Sequence, residues 1–473
     1  MITFFVSIAV LLFGFIVYGK FTEKVFNPDG RKTPAVALND GVDHVPMKTW
    51  KATLIQFLNI AGTGPIFGAL MGACFGPVVF LWIVMGSILA GAVHDYTTGM
   101  ISERHDGASI AELSGIYFGR PVRLIMRIFA IVLLLLVGTV FIKSSATLMS
   151  TVTGDTPGIF FWILIISVYC LLATLLPIDK VIGKAYPVFG VILIIMAVSV
   201  TIGIIVTPGV SIPELTLENL HPDNLPIWPF MFVTVACGAI SGFHSTQSPI
   251  MAKCIKNEKD GRPVFYGAMI IEAVIALIWA AAGVAFYGGT HALSNAISTL
   301  GQSGVVFDIS NKMLGVVGGI LAIVGVVICP ITSADTAFRS ARLIIAEWTK
   351  SDQKKIKNRL LITVPLLVGS WILTNVDFDI LWRYFSWSNQ TIAMIALWVS
   401  TSYFVRNGRK AASLITALPA AFMTGVSITY ILMATEGFGL SATIAYPVGL
   451  AVAAHSLLVY SIITVKIKAP HKV

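Results

Sequence analysis

Charge is what this sequence has least of. Of its 473 residues, 12% are Asp, Glu, Lys or Arg, about half of the roughly 25% typical of soluble domains. Apolar residues make up 56% and the mean hydropathy is +0.86, so the polar surface that water requires is missing. Cysteine is scarce: Cys74, Cys170, Cys237, Cys254 and Cys329 are scattered, with no C-x-x-C spacing. That excludes a thiol zinc site and a redox pair, leaving small buried hydrophobes. No G-x-x-x-x-G-K-[ST] pattern occurs, since Gly62-Thr63-Gly64-Pro65 lacks the lysine, which excludes ATP-driven work within the chain. The net charge is +9, yet no basic stripe interleaved with aromatics exists, and nucleic acid is excluded as a partner.

What is present is a series of long apolar runs. A bilayer core takes roughly 20 apolar residues per helix. On that ruler the sequence predicts an all-α polytopic membrane protein of about thirteen spans: 2–19, 51–73, 75–99, 122–150, 158–176, 183–207, 227–251, 263–288, 311–348, 359–376, 383–404, 411–433 and 440–465. The run from Ile2 to Tyr18 has no basic n-region and no small-residue cleavage site, so it reads as a retained helix and not a signal peptide. The 311–348 stretch is too long for one simple span; it reads as a tilted helix bent at Cys329-Pro330.

The loops give a direction. Lys20, Lys24, Arg31, Lys32, Lys48 and Lys51 follow the first span; Lys180 and Lys184, then Lys253, Lys256, Lys259 and Arg262 occupy later loops on the same side. Lys350, Lys354, Lys355, Lys357 and Arg359 follow, then Arg406, Arg409 and Lys410, then Lys466, Lys468 and Lys472. The alternate loops are acidic or nearly neutral, with Asp155, Glu214, Glu218, Asp223, Asp308, Asp377, Asp379 and Glu436. Positive loops stay inside, so the expected orientation in the cytoplasmic membrane is N-terminus outside, C-terminus inside. Within the inside loop 102–120, Ser109-Ile110-Ala111-Glu112 is a capping-box pattern and predicts a short interfacial helix.

Two of the spans are broken. Asn59-Ile60-Ala61-Gly62-Thr63-Gly64-Pro65 and Gly238-Ala239-Ile240-Ser241-Gly242-Phe243-His244-Ser245-Thr246-Gln247-Ser248-Pro249 interrupt apolar segments with glycine and proline. Unwound backbone in a bilayer survives only inside protein or beside a watery cavity. A matched pair, about 180 residues apart and each opening about five spans of opposite direction, marks inverted repeats with a transport site between them. The chain divides accordingly: 1–50, an extra helix and basic loop; 51–207, the first repeat; 227–404, the second; 411–473, two further helices and a short tail.

Five blocks in order carry a family resemblance: Asn59-Ile60-Ala61-Gly62-Thr63-Gly64-Pro65-Ile66; Gly91-Ala92-Val93-His94-Asp95-Tyr96; Ser102-Glu103-Arg104-His105-Asp106-Gly107; Gly242 through Pro249; and Thr332-Ser333-Ala334-Asp335-Thr336-Ala337-Phe338-Arg339-Ser340-Ala341-Arg342. Across residues 56–390 the chain resembles the carbon starvation protein A (CstA) family of membrane transporters. The resemblance implies uptake of peptides, with pyruvate as substrate for some members, during nutrient limitation. It also implies kinship with transporters built on a LeuT-like five-plus-five inverted repeat.

The residues offer tools for such work. Half-helix N-termini attract a carboxylate and unwound carbonyls hold a cation. Substrate-binding candidates are Asn59, Gly62, Thr63 and Gly64 at the first break, with Ser241, Gly242, His244, Ser245, Thr246 and Gln247 at the second. Asn389 and Gln390 face the pathway or bond across helices. By the LeuT-like resemblance, Thr332, Ser333, Asp335 and Thr336 complete an ion site with carbonyls of the first break; alternatively Asp335 pairs with Arg339, one turn on. Glu272 has no charged neighbour within a turn of its helix and suits a proton carrier. Lys143 and Lys184 read as structural, with stems that snorkel to the membrane faces. His94, Asp95 and His105 read as a gate or anchoring network, or as ligands for a divalent metal such as zinc. The expectation is a secondary active importer of small peptides, not an enzyme, coupled to H⁺ or Na⁺ and working by alternating access in the lipid bilayer. The alternatives are a pyruvate symporter of the same fold and a metal-dependent membrane enzyme on His94, Asp95 and His105. A channel fits less well, because two broken helices suit an occludable site better than a continuous pore. No cofactor other than the coupling ion is required, and no oligomeric state follows from the sequence.

Overall fold

The computed structural model describes residues 1–41, 43–175 and 178–466, with all their side chains except those of 178–185, 322 and 326. Lys180, Lys184, Lys468 and Lys472 therefore lie outside the described side chains. The chain is a bundle of helices; among the described residues the only β pairing is a single bridge between Met47 and Ile255.

In chain order the helices are α1 (Ile2–Phe26), α2 (Thr49–Ile60), α3 (Gly64–Ala73), α4 (Val78–Glu103), α5 (Ile110–Phe118), α6 (Arg120–Val152), α7 (Ile159–Leu175) and α8 (Ile178–Val206). The second half brings a short helical segment at 227–234, here α9, then α10 (Gly242–Ala252), α11 (Glu258–Tyr287), α12 (Thr290–Ile323) and α13 (Cys329–Thr349). Last come α14 (Ile356–Leu373), α15 (Phe378–Arg406), α16 (Leu414–Met433) and α17 (Ala442–Lys466). Among the described residues nine helices are long and apolar enough to cross a membrane, ten if α2 and α3 count as one bent span.

Local chemistry explains several boundaries. Ser109 caps α5 as the sequence predicts, its hydroxyl accepting from the Glu112 N–H at 3.3 Å. Glu112 does not complete the box; its carboxylate turns to Arg127 and Arg123 of α6 and ties the short helix to the long one. Asp377 starts α15 by accepting from the N–H groups of Asp379 and Ile380, five residues before the expected span.

One expectation needs correction. The 311–348 stretch is not a single helix bent at Cys329-Pro330. Helical structure begins already at Thr290 and is bent at Gly301 (φ 67°) and Gly315 (φ 61°), left-handed positions that glycine tolerates. It then runs through a wide turn at Val324–Ile328 into α13, with Cys329 and Pro330 inside continuous helix. Proline is harmless there because the wide turn has already released the carbonyl it would meet. Residues 290–314 are too polar to read as a span, so their helices were missed.

The packing follows lipid exposure. α13 lies along α6, and α10 fits between α4 and α15. α11 packs on α3, while α16 and α17 pair with each other beside α15. The outer helices keep bulky apolar side chains on the surface, such as Leu361, Leu450 and Val465, as a bilayer allows. α1 ends at the centre of one face: Phe26 stacks on Tyr403 at 5.6 Å, meets Tyr96 and Phe404 edge-on, and lies 4.4 Å beneath the Arg104 guanidinium.

Candidate functional site

The site is built on two missing side chains. α2 stops at Ile60 because Ala61 leaves helical ψ (φ −81°, ψ 49°), and α3 restarts beyond Thr63, bent by 57°. Pro65, near the start of α3, gives up a donor that a first turn leaves unused. A Cβ on Gly64 would lie 2.3 Å from Cys237 Sγ, and one on Gly62 2.4 Å from Phe141 Cζ. Cys237 belongs to the second break, so the two breaks touch at the middle of the bundle.

The second break lies at residues 235–241, earlier than the sequence patch suggests; the hydroxyl-rich part, from Gly242 on, is the half-helix α10. Asn389 holds the break. Its Nδ2 donates to the Ala236 carbonyl at 2.6 Å, and its Oδ1 accepts from the Phe243 N–H at 2.6 Å and the Ser241 hydroxyl at 3.1 Å. Gln390 Nε2 lies 3.2–3.4 Å from the Phe232, Val235 and Ala236 carbonyls. The two amides replace helix bonds lost at the break, so they bond across helices, the second of the roles their sequence position allows. The start of α10 is thereby partly satisfied by protein.

The α10 hydroxyls are also used locally. Ser245, Thr246 and Ser248 donate to the carbonyls of Gly242, Phe243 and His244 at 2.6, 2.6 and 2.9 Å, and Gln247 reaches Ser340 at 3.2 Å. The first break differs. Both amide atoms of Asn59 and the Thr63 hydroxyl are buried without a hydrogen-bond partner among the described residues, as are both amide atoms of Gln56. A cluster of rings reaches the break through Phe141, which packs on Gly62: Phe141 meets Phe243 at 6.1 Å and Phe385 at 6.4 Å, and Trp382 meets Phe385 at 5.3 Å and Phe67 at 6.1 Å. An apolar wall with a few directed polar groups is the usual make-up of a small-molecule site.

α13 lies against the first break. Ser333 donates to the Leu58 carbonyl at 3.1 Å and Cys329 Sγ lies 2.6 Å from the Ala61 carbonyl. Thr332 and Thr336 bond carbonyls of their own helix. Asp335 accepts from the Tyr186 hydroxyl at 3.0 Å, while Arg339 reaches the Ala173 carbonyl at 2.7 Å; no ion pair joins the two among the described residues. Lys143 donates to the Val376 carbonyl at 2.5 Å, a structural role as expected.

The ionisable candidates regroup. His94 Nδ1 lies 2.7 Å from Asp95 Oδ1, His244 Nδ1 lies 2.8 Å from Asp95 Oδ2, and His244 Nε2 lies 3.3 Å from Glu272 Oε2, all fully buried. Glu272 is thus solitary along its own helix but not in space. His105 does not join: its Nδ1 meets the Ile101 carbonyl at 2.8 Å and its Nε2 faces Tyr117 at 3.4 Å. Among the described residues no group of three or more His, Cys, Asp or Glu side chains is arranged to hold a metal ion, so the expected grouping of His94, Asp95 and His105 about zinc is not formed. Sequence reasoning missed Cys237, Phe141 and Tyr186; only Cys237 had a visible signal, its place in the second break.

Two broken helices meeting in the core of a helical membrane bundle define the LeuT-like fold. The likeness to solved structures agrees: over 98% of both chains this protein superposes on a Na⁺-coupled sialic acid symporter with a TM-score of 0.56 at 14% identity. The chain belongs to the carbon starvation protein CstA family, whose pattern it matches over residues 1–161, 142–303 and 282–430. A membrane protein of Haemophilus influenzae is 45% identical over 63% of this chain and 94% of its own. The Bacillus subtilis peptide transporter CstA is 24% identical over 90% and 88%. The Escherichia coli pyruvate/proton symporter BtsT is 28% identical over 58% of this chain and 47% of its own.

Proposed function

We propose that this chain is a secondary active importer of small peptides, working by alternating access across the cytoplasmic membrane under nutrient starvation, and not an enzyme. The reading takes thirteen crossings, against nine or ten long apolar helices among the described residues, with N-terminus outside, C-terminus inside and the basic loops at the cytoplasm. Residues 51–207 and 227–404 act as inverted repeats rocking about the meeting of the breaks. The observation that carries the reading is that meeting: Gly64 against Cys237, beside the unpartnered polar groups of Asn59 and Thr63. A substrate with a backbone amide and a carboxylate would supply the acceptors and donors these groups lack. A second reading, pyruvate as substrate, is favoured by the relative named as a pyruvate/proton symporter.

The test is uptake of labelled dipeptide or pyruvate into proteoliposomes, with and without an inward proton gradient. Peptide accumulation is the expected result. Accumulation of pyruvate alone replaces the substrate and keeps the architecture; movement of neither ends the transporter reading.

A further inference from the structure

We infer that Glu272 and His244, oriented by Asp95 and His94, form a proton-binding site that couples transport to a proton gradient, an inference that rests on the transporter reading above. The argument begins with donors and acceptors. An aspartate carboxylate only accepts, and a neutral imidazole has one donor and one acceptor nitrogen. Both oxygens of Asp95 face an imidazole Nδ1, at 2.7 Å from His94 and 2.8 Å from His244. Each Nδ1 therefore carries its hydrogen towards Asp95, and the tautomers are fixed. The Nε2 of His244 is left as the basic nitrogen, 3.3 Å from Glu272 Oε2. A lone pair cannot face an ionised carboxylate there at full burial without cost. One extra proton, on Glu272 or on His244, resolves the conflict and makes the pair a place where a proton is held.

The neighbours leave this proton to the pair. Cys237 of the second break interacts with His244, and Cys329 of α13 lies within electrostatic reach of Glu272. α3 carries no titratable residue, and from α15 the nearby polar groups are neutral: Ser400, bonded to Thr97, and Asn389. No lysine or arginine forms an ion pair with the four among the described residues. At the far end His94 Nε2 is buried without a hydrogen-bond partner among them.

Its position makes the proton consequential. Asp95 lies on α4, Glu272 on α11, and His244 is the third residue of α10, just past the break. The protonated pair fastens this half-helix to α4 and α11. Once motion of the helices opens this fully buried pair to water, release of its proton to that water leaves Glu272 ionised against a basic nitrogen and loosens the same joint. Cys237, within the break, bears on Gly64, so the change reaches the substrate side.

The experiment uses full-length protein in proteoliposomes loaded with a pH-sensitive dye and offered labelled dipeptide or pyruvate. For the wild type we expect accumulation driven by an inward proton gradient, with lumen acidification in step. Glu272→Gln keeps the size and polarity of the side chain that faces His244 at 3.3 Å but cannot take up the proton. It should lose gradient-driven accumulation at least tenfold and lumen acidification with it, while slowed substrate exchange, now insensitive to pH, remains measurable. Asp95→Asn, which releases the tautomers, should lose the drive likewise. Wild-type accumulation by Glu272→Gln overturns the proton-binding site, as does wild-type uptake driven by a Na⁺ gradient alone; in both cases the transporter reading stands. Loss of exchange as well as drive in both variants makes the four residues structural and also overturns it. If the wild type moves neither substrate, both inferences fall together.

Discussion

Gly64→Ala probes the contact on which the transport reading depends. Its methyl carbon would sit 2.3 Å from Cys237 Sγ and 2.5 Å from Cys237 Cβ, whereas relaxed carbon contacts are about 3.5–4.0 Å. The breaks must therefore part by more than about 1 Å to admit it. Overfilling a buried site costs about 1–3 kcal/mol, which lowers the population of the state with touching breaks roughly 5- to 150-fold. If each turnover passes through that state, the initial rate of uptake into proteoliposomes, normalised to reconstituted protein, falls about fivefold or more. Cys237→Gly removes both clashing atoms and leaves Cα, 3.9 Å away, as the nearest. The double variant should then recover to within about threefold of Cys237→Gly alone, the signature of a coupled pair. Wild-type uptake by Gly64→Ala, or a double variant as poor as the single one, would refute the reasoning.

Three other expectations follow from neighbouring contacts. Gly62→Leu drives a side chain into the Phe141 ring, 2.4 Å from its Cβ position; uptake should vanish while membrane insertion, read by fractionation, persists, and normal uptake removes the first break from the site. Asn389→Ala strands the Phe243 N–H and the Ala236 carbonyl at about 1–3 kcal/mol for each buried group; the melting midpoint in detergent should fall by several degrees and uptake with it, and an unchanged midpoint sinks the clamp. Arg104 binds the fully buried Glu258 at 2.6 Å and the Tyr403 hydroxyl at 2.6 Å, so Arg104→Ala should loosen the face that we assign to the cytoplasm. Cys254 reports it: burial pushes its thiol up to about 12, so little reactive thiolate exists near neutral pH. Loosening lets the thiol fall towards its ordinary value, and maleimide labelling at pH 7.5, followed by mass spectrometry of the Cys254 peptide, should rise about tenfold or more. Equal labelling of both proteins removes Arg104 from that closure.

Much of the architecture was legible because membranes make sequence patterns strict. Apolar length marks a span, and glycine with proline inside one marks a break that protein must cover. The polar helices of 290–314 escaped because their turns depend on the φ of Gly301 and Gly315, not on apolar period. The site was legible as a set of parts but not as an assembly. Asp95 stands 149 residues from His244, so nothing local joins them. The sharper clue was a general one, since a buried ionisable residue within a span needs a partner. His94, Asp95, His244 and Glu272 each posed that demand, and they answer one another. Asn389 was ambiguous for a related reason: an amide that lines a pathway and one that splints unwound backbone are the same residue type in the same kind of helix.

The aromatic plug at the end of α1 has a consequence for timing. Phe26 is held by rings from α4 and α15 and covered by Arg104, whose carboxylate partner Glu258 also accepts from the Asp29 N–H at 2.5 Å. Any motion that separates α4 from α15 on this face must first draw Phe26 out of its cage. Such a latch raises the barrier to parting and, because its contacts are made in this state and lost on parting, also tilts the balance towards this state. On the transport reading, α1 is then a latch on the cycle, and variation at Phe26 changes how often it turns over without touching the two breaks.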